Sequence, residues 1–257
     1  MNELSARVMS NTTIMPGVCL VWLEAPAIAA AAKPGQFIMV RCGEELLLRR
    51  PFSIHQVSDK NKLAILFSVV GKGTQWLAQC KVGDRVDLLG PLGNGFTLPD
   101  KAQHILLVAG GIGIAPLRFL ADKAIEEDHE VTLLLGAQTS NHLCPESLLP
   151  SGVGLAITTE DGSAGEKGMI TDSFRGLVSL AATEQIFACG PLPMYKSMAQ
   201  MPELKDKLVQ VSLEVVMGCG VGVCYGCTVK TRQGLRQVCQ DGPVFNLHDI
   251  LWDELNW

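Results

Sequence analysis

Two rhythms of hydrophobic and polar positions divide the chain. Up to about Leu98, short β-rich runs at 18–23, 36–40, 51–57, 63–70 and 85–89 recur between prolines and glycines. Runs of this length, interrupted roughly every ten residues, predict an antiparallel sandwich or barrel. The alanine-rich stretch 27–32 predicts a short helix, and 75–79 an amphipathic helical piece. Beyond Leu98-Pro99-Asp100-Lys101 the pattern changes. Residues 104–109 form a near-continuous apolar run of the kind that is buried on both faces of a parallel sheet. Leu117, Leu120, Ala121, Ala124 and Ile125 then follow at i, i+3, i+4, i+7 and i+8, which predicts a helix. Strands are expected at 131–136, 155–159, 185–188 and 209–215, with helical segments near 168–180 and 193–200. The alternation predicts a doubly wound parallel sheet, so the expected fold is a β barrel plus α/β with a small C-terminal segment. The divisions fall at 1–99, 100–210 and 211–257.

That last segment carries the most specific chemistry. Cys219, Cys224, Cys227 and Cys239 follow C-x4-C-x2-C-x11-C, with Gly218, Gly220, Gly222 and Gly226 between them. The plant-type [2Fe–2S] cluster uses this spacing. Glycines suit it, because a loop wrapping a small anionic core needs positive φ and amides free to point at sulfur. A glycine-rich x4 loop also differs from the C-x2-C knuckles of structural zinc. On the cysteines alone, zinc and disulfides stay open.

Two upstream stretches have the chemistry of phosphate binding. In Arg49-Arg50-Pro51-Phe52-Ser53 an arginine can clamp a diphosphate while the serine reaches a ring atom; the alternative is a solvated basic pair at a strand edge. Val70-Gly71-Lys72-Gly73-Thr74 opens a helix, whose N-terminal amides favour an anion, although many hairpin turns read the same. In the α/β part, ligands sit beyond the carboxyl ends of the strands, so loops 110–115, 136–139, 160–162 and 189–194 are expected to line one crevice. The loop Gly110-Gly111-Ile112-Gly113-Ile114-Ala115-Pro116 lacks the third glycine of G-x-G-x-x-G, and a plain tight turn remains its alternative. Cys189 opens a second strand-to-helix turn, Cys189-Gly190-Pro191, and lies either against a reacting ring or in a turn that wants a small residue.

Length and composition narrow the class. With 257 residues, 47% hydrophobic and 18% charged, the chain has room for two domains and the composition of a soluble globular protein. A net charge of -5 argues against general affinity for nucleic acid or anionic membrane. No apolar run nears the roughly 18 residues that span a bilayer. The first seven residues lack a secretory pattern, and nine cysteines then point to a reducing, cytoplasmic compartment. Cys19, Cys42, Cys80 and Cys144 read as small core residues.

Arg50 to Ser53 fits R-x-[FY]-S, 110–116 fits G-G-x-G-x-[AT]-P, and 189–194 fits C-G-P-x-x-M. In these motifs the chain resembles the ferredoxin reductase-like flavoproteins. Together with the cysteine tail and Val238-Cys239-Gln240-Asp241-Gly242-Pro243-Val244-Phe245, it resembles over nearly its whole length the electron-transfer subunits of NAD-dependent dihydroorotate dehydrogenases. The resemblance implies FAD on the barrel, held by Arg50, Pro51, Phe52, Ser53, Leu66, Phe67, Ser68, Gly73 and Thr74, with Ser68 acting through its backbone. It implies NAD(H) at Gly110, Gly111, Gly113, Pro116, Cys189, Gly190 and Pro191, and a [2Fe–2S] cluster on Cys219, Cys224, Cys227 and Cys239. Cys189 is the one candidate contact to the nicotinamide, and no catalytic residue is assigned. Hydride carries two electrons and a cluster takes one, so flavin, which handles both, belongs between them. No orotate site is legible. The resemblance supplies one on an FMN-containing dihydroorotate dehydrogenase catalytic subunit, in a heterotetramer of two of each chain serving de novo pyrimidine (UMP) biosynthesis. Two rivals stand beside it. One is the ferredoxin-NADP reductase-like subunit of a transhydrogenase or sulfide reductase, which would prefer NADPH; the acidic Thr159-Glu160-Asp161 in the expected ribose region speaks against a 2'-phosphate. The other is a non-enzymatic iron–sulfur redox sensor, which NADH would not bleach. The short tail after Val215 is expected to need its metal and a docking surface for order.

Overall fold

A computed structural model describes residues 1–101, 103–180 and 185–255. The first third is a closed six-stranded barrel of β1 (Asn2–Met15), β2 (Val18–Glu24), β3 (Phe37–Arg41), β4 (Arg50–Ser58), β5 (Lys62–Ser68) and β6 (Arg85–Leu92), in the order β1-β2-β5-β4-β3-β6. Alternation builds it: Val86 and Leu88 of β6 point inward while Asp87 between them does not. Strand β1 escapes sequence reading because only Ala6, Val8 and Met15 among its 14 residues are buried. Its first half pairs with β6 and its second half with β2, so this mostly polar strand closes the barrel and removes its free edges. Helix α1 (Pro26–Ala29) is shorter than the alanine run suggests, and α2 (Lys72–Gln79) is longer than expected.

The second part follows with β7 (His104–Gly110), α3 (Ile114–Glu126), β8 (Glu130–Ala137), β9 (Gly154–Thr159), β10 (Glu166–Lys167), α4 (Ile170–Leu180), β11 (Gln185–Cys189), α5 (Leu192–Ala199) and β12 (Leu208–Ser212). A hairpin of β13 (Thr228–Thr231) and β14 (Gly234–Gln237), the turn α6 (Val238–Asp241) and β15 (Val244–Asn246) complete the chain's regular elements. The sheet runs β10-β9-β8-β7-β11-β12-β15, parallel throughout except where β15 pairs antiparallel with β12. Leu117, Leu120 and Ala124 of α3 cover one face; Phe174 and Val178 of α4 and Met194 and Met198 of α5 cover the other.

The tail is packed onto the body of the chain. Val238, Cys239, Leu247, Ile250, Trp252 and Leu255 share a core with α4 and α5. Asn94, just past the barrel's last strand, donates its side-chain amide to the carbonyls of Gln240 (3.1 Å) and Asp241 (3.0 Å). The surface that orders the tail is therefore supplied in part by this chain itself. No helix among the described residues is long and apolar enough to cross a membrane.

Barrel and sheet are joined by α3, whose Phe119 enters the barrel core. His55 of β4, 1% exposed, donates from Nδ1 to the carbonyl of Ala115 at 3.0 Å, which leaves Nε2 buried without a partner. Burial, reinforced by the Arg118 cation against the opposing Ala115 bond, lowers His55 to about 4. A histidine lowered in the folded state binds its proton better when unfolded. Its contribution is therefore complete above the unfolded pKa of about 6.5 and is lost as pH falls toward the folded value, a loss of roughly 3 kcal/mol. Thermal melts from pH 7 to 4 should show His55→Asn losing less stability over that interval than the parent; equal slopes would contradict the burial of a neutral imidazole.

Candidate functional site

All four of the expected strand-end loops converge. Gly110, Gly113, Gly136, Gln138, Glu160 and Gly190 line a cleft of about 740 Å3 at the carboxyl ends of the strands, with Met15, Val18 and Ser68 of the barrel forming its other wall. The chain proceeds from β7 outward to β9 on one side and then to β11 and β12 on the other, so the cleft opens at the switch point where open α/β sheets bind ligands. Gly111, at φ +56, turns the chain into α3. A Cβ at Gly113 would lie 1.9 Å from the carbonyl oxygen of Cys189, so the loop needs a glycine there for close packing. Gly111, Ile112 and Gly113, which lead into the 13-residue α3, line the cleft, and no lysine or arginine is among its lining residues. Pro116 lies buried in the first turn of α3.

Cys189 is fully buried, and its thiol donates to the carbonyl of Ser212 at 3.6 Å. Burial pushes it far above the usual range, so it stays a neutral thiol; Gly190 and Pro191 beside it are the residues that reach the cleft. Sequence reading missed Glu214. The strand expected over 209–215 ends at Ser212, because Leu213 turns to donate its amide to the carbonyl of Pro243 at 2.9 Å, and Glu214 then enters the cleft. Surrounding protein raises its carboxyl above the ordinary value. The acidic pair Glu160 and Asp161, expected in the ribose region, also divides. Glu160 lines the cleft, whereas Asp161 accepts from the hydroxyl (2.6 Å) and amide (2.9 Å) of Ser163, which hold its carboxylate below the usual range and shape the turn.

On the barrel, Arg50, Pro51, Phe52 and Ser53 begin β4 and Leu66, Phe67 and Ser68 end β5, neighbouring strands whose Phe52 and Phe67 rings lie 5.3 Å apart. Leu66 and Phe67 are buried, whereas Ser68 reaches the cleft. The two phosphate-type stretches meet: a Cβ on Gly73 would lie 3.4 Å from Nε of Arg50, which sets the first turn of α2 beside that guanidinium. Thr74 Oγ1 accepts from the amides of Val70 (2.9 Å) and Gly71 (3.1 Å) and donates to the Gly71 carbonyl (3.0 Å), so its hydroxyl shapes the turn. The two arginines have separate tasks. Arg49 bonds Asp87 at 3.0 Å and Glu3, linking β6 and β1, whereas Arg50 lies beside Gly73 and donates from Nη1 to the carbonyls of Leu48 and Arg49.

Cys219 and Cys224 are neighbours, and Cys227 and Cys219 are both near Cys239. Among the described residues no three metal-binding side chains close on a single-ion position. Cys219, Cys224, Cys227 and Cys239 would be the four thiolates of a two-iron cluster, which takes two on each iron. Amides point at the sulfurs as an anionic core requires: Gly222 donates to Cys239 (3.2 Å), Val221 to Cys219 (3.4 Å) and Cys239 to Cys227 (3.4 Å). Burial acts to raise the Cys219 thiol, but the amides of Val221, Cys224 and Val223 outweigh it and bring the group down to about 6. Gly220, at φ +74, backs onto the barrel, where a Cβ would meet Met39 at 2.6 Å. Cys224 is exposed, as are its chain neighbours Val223 (72% exposed) and Tyr225 (70%).

Comparison with known proteins matches both halves of this arrangement. Residues 214–251 fit the "Iron-sulfur cluster binding domain of dihydroorotate dehydrogenase B", and residues 107–200 the "Oxidoreductase NAD-binding domain". A protein of Desulforamulus reducens described as "Dihydroorotate dehydrogenase B (NAD(+)), electron transfer subunit" is 42% identical over 96% of this chain and 98% of its own length. One of the same description from Caldanaerobacter subterraneus subsp. tengcongensis is 36% identical, with 97% and 99% covered. Among solved structures, one of an NADH-dependent reduced ferredoxin-NADP oxidoreductase superposes with a TM-score of 0.89 at 31% identity, covering 97% of this chain and 91% of that one. The ferredoxin reductase of carbazole 1,9a-dioxygenase shares the fold, with a TM-score of 0.70 at 22% identity over 80% of this chain and 66% of its own. Identity of this order, sustained from end to end and through the cysteine tail, settles the kinship: this chain belongs to the family of dihydroorotate dehydrogenase B (NAD(+)) electron transfer subunits.

Proposed function

We infer that this chain carries electrons between NAD(H) and a catalytic partner that oxidises dihydroorotate, through FAD and a [2Fe–2S] cluster. The observation that carries the reading is the tail's cysteine loop, whose amides donate to the sulfurs of Cys219, Cys227 and Cys239, packed against the barrel through Gly220 and Met39 and open to the outside at Cys224. We take 1–99 as the FAD-binding unit, 100–210 as the NAD-binding unit and 211–257 as the cluster unit. Arg50 and the first turn of α2 at Gly73 and Thr74 hold the FAD diphosphate, while Pro51 to Ser53 and Leu66 to Ser68 form its flavin strands. Gly110, Gly111 and Gly113 present amides to the NAD diphosphate, Pro116 sits in the first turn of the supporting helix, and Gly190 and Pro191 border the nicotinamide beside Cys189. FAD supplies the exchange between two-electron and one-electron transfer, and the cluster the one-electron exit.

The exposed Val223 and Tyr225 on either side of Cys224 are apolar surface of the kind that marks a docking site. Its occupant, in this reading, is an FMN-containing catalytic subunit, two copies of each chain forming a cytoplasmic heterotetramer in pyrimidine biosynthesis. Purified chain mixed anaerobically with that subunit should reduce NAD+ when dihydroorotate is added. No NADH from the mixed subunits, each carrying its cofactors, would end the proposal.

The high structural similarity to a ferredoxin-NADP oxidoreductase favours a second reading, in which the one-electron partner is a ferredoxin-type protein and the nucleotide is NADPH. Glu160 at the end of β9 separates the two, since a carboxylate in the ribose region repels a 2'-phosphate. Faster reduction by NADPH than by NADH would favour the second.

A further inference from the structure

Tyr195 is the buried polar group most closely tied to the cleft without lining it. It lies on α5, 3% exposed, among Met194, Met198 and Trp252. Its hydroxyl accepts the amide of Gly190 at 2.9 Å and donates to the carbonyl of Ser212 at 2.7 Å. Gly190 follows the end of β11 and Ser212 ends β12, so one phenol oxygen joins two strand ends beyond which Pro191 and Glu214 line the cleft. The Cys189 thiol donates to the same Ser212 carbonyl. From the other side Trp252 of the tail stacks on the ring, with centroids 5.1 Å apart and planes at 24°, and is itself held by its indole N–H on the Leu247 carbonyl at 2.8 Å. Phenylalanine would fill the same volume with the same stacking. An unpaired buried polar group costs about 1–3 kcal/mol, so a hydroxyl here is stable only because both partners are in place.

We propose that Tyr195 is a positioning residue for the nicotinamide end of the cleft: its hydroxyl sets the spacing of the Gly190 turn and the β12 end, and Trp252 holds it there from the cluster tail. The inference rests on the nicotinamide occupying this end of the cleft. Hydride transfer requires the reacting atoms to approach within about 3–3.5 Å, so a small shift of the turn reduces the rate. The hydroxyl of Tyr195 bonds Gly190 and Ser212 and not Gly111 or Gly113 at the start of α3, so the expected effect falls on turnover more than on binding.

The test is Tyr195→Phe in protein loaded with FAD and cluster, with ferricyanide as electron acceptor. The expected result is a kcat about tenfold or more below the parent with KM for NADH within about threefold, the pattern of an interaction that acts on the transition state. Bound FAD should be unchanged, and hydrogen exchange at the Gly190 amide faster. A kcat within about twofold of the parent overturns the proposal, as does a loss of kcat matched by loss of bound FAD. The exchange measurement is independent of turnover. An unchanged Gly190 amide sinks the positioning role even where the parent fails to oxidise NADH, and that failure by itself would sink the nicotinamide reading instead.

Discussion

Gly113→Ala is expected to collapse the nucleotide cleft. The added methyl would stand 1.9 Å from the carbonyl oxygen of Cys189, 2.4 Å from its carbonyl carbon and 3.0 Å from the amide nitrogen of Gly190. All three are backbone atoms of the neighbouring strand end, so no side-chain rotation relieves the clash. The start of α3 would have to part from the end of β11, the two pieces that together form the crevice. Position 113 has ordinary helical angles (φ -58, ψ -12), so its requirement for glycine is one of space alone. Gly111 is the converse, with nothing within 4 Å of its Cβ but φ at +56. Alanine at 111 should cost about 1 kcal/mol of backbone strain, whereas alanine at 113 should cost about 3 kcal/mol or more and weaken NADH binding at least about tenfold. Thermal melts and NADH titration of the two variants separate these effects. A Gly113→Ala protein with the parent's melting temperature and affinity would show that the loop is not packed against Cys189.

Cys224→Ser should separate the chain's two electron-transfer steps. Cys224, a neighbour of Cys219, is exposed, and serine supplies a hard oxygen where iron–sulfur chemistry uses thiolate. Cluster absorbance should be lost, and dihydroorotate-dependent reduction of NAD+ with the partner should fall by roughly two orders of magnitude or more. NADH-driven reduction of ferricyanide should stay within about twofold, because the cleft and the barrel strands do not include Cys224. The tail's hold on the fold runs through Val238, Leu247 and Trp252, which the substitution leaves alone. If both activities fall together, the cluster loop is needed for the fold itself.

Much of this architecture is legible in the residues because burial imposes a period. Strands β5, β7 and β8 are bounded in sequence to within two residues of where they lie, since their side chains are buried almost continuously. Strand β1 is not, because closing a barrel needs paired backbone amides and carbonyls and makes little demand on the outward side chains. The hairpin β13–β14 and the three-residue β15 are too short to show a period at all. At the site, residue types announce the chemistry but not which member of a set performs it. Arg49 and Arg50 are alike in sequence, and only the approach of Glu3 and Asp87 makes one an ion-paired tie between strands while the other stays beside Gly73. Glu160 and Asp161 divide in the same way once Ser163 takes the second.

By itself the sequence determined the classes: a barrel, an α/β sheet, a cysteine framework at cluster spacing, and glycine-rich turns after the strands. These are local demands of period, φ angle and ligand spacing, which neighbouring residues express without reference to the rest of the chain. Only the tertiary structure decided that Glu214 turns into the cleft, that Cys189 is buried behind Gly190, and that Tyr195 spans Gly190 and Ser212 with Trp252 against it. Those facts depend on contacts between strand ends far apart in sequence, and such contacts leave no periodic trace in the residues that make them.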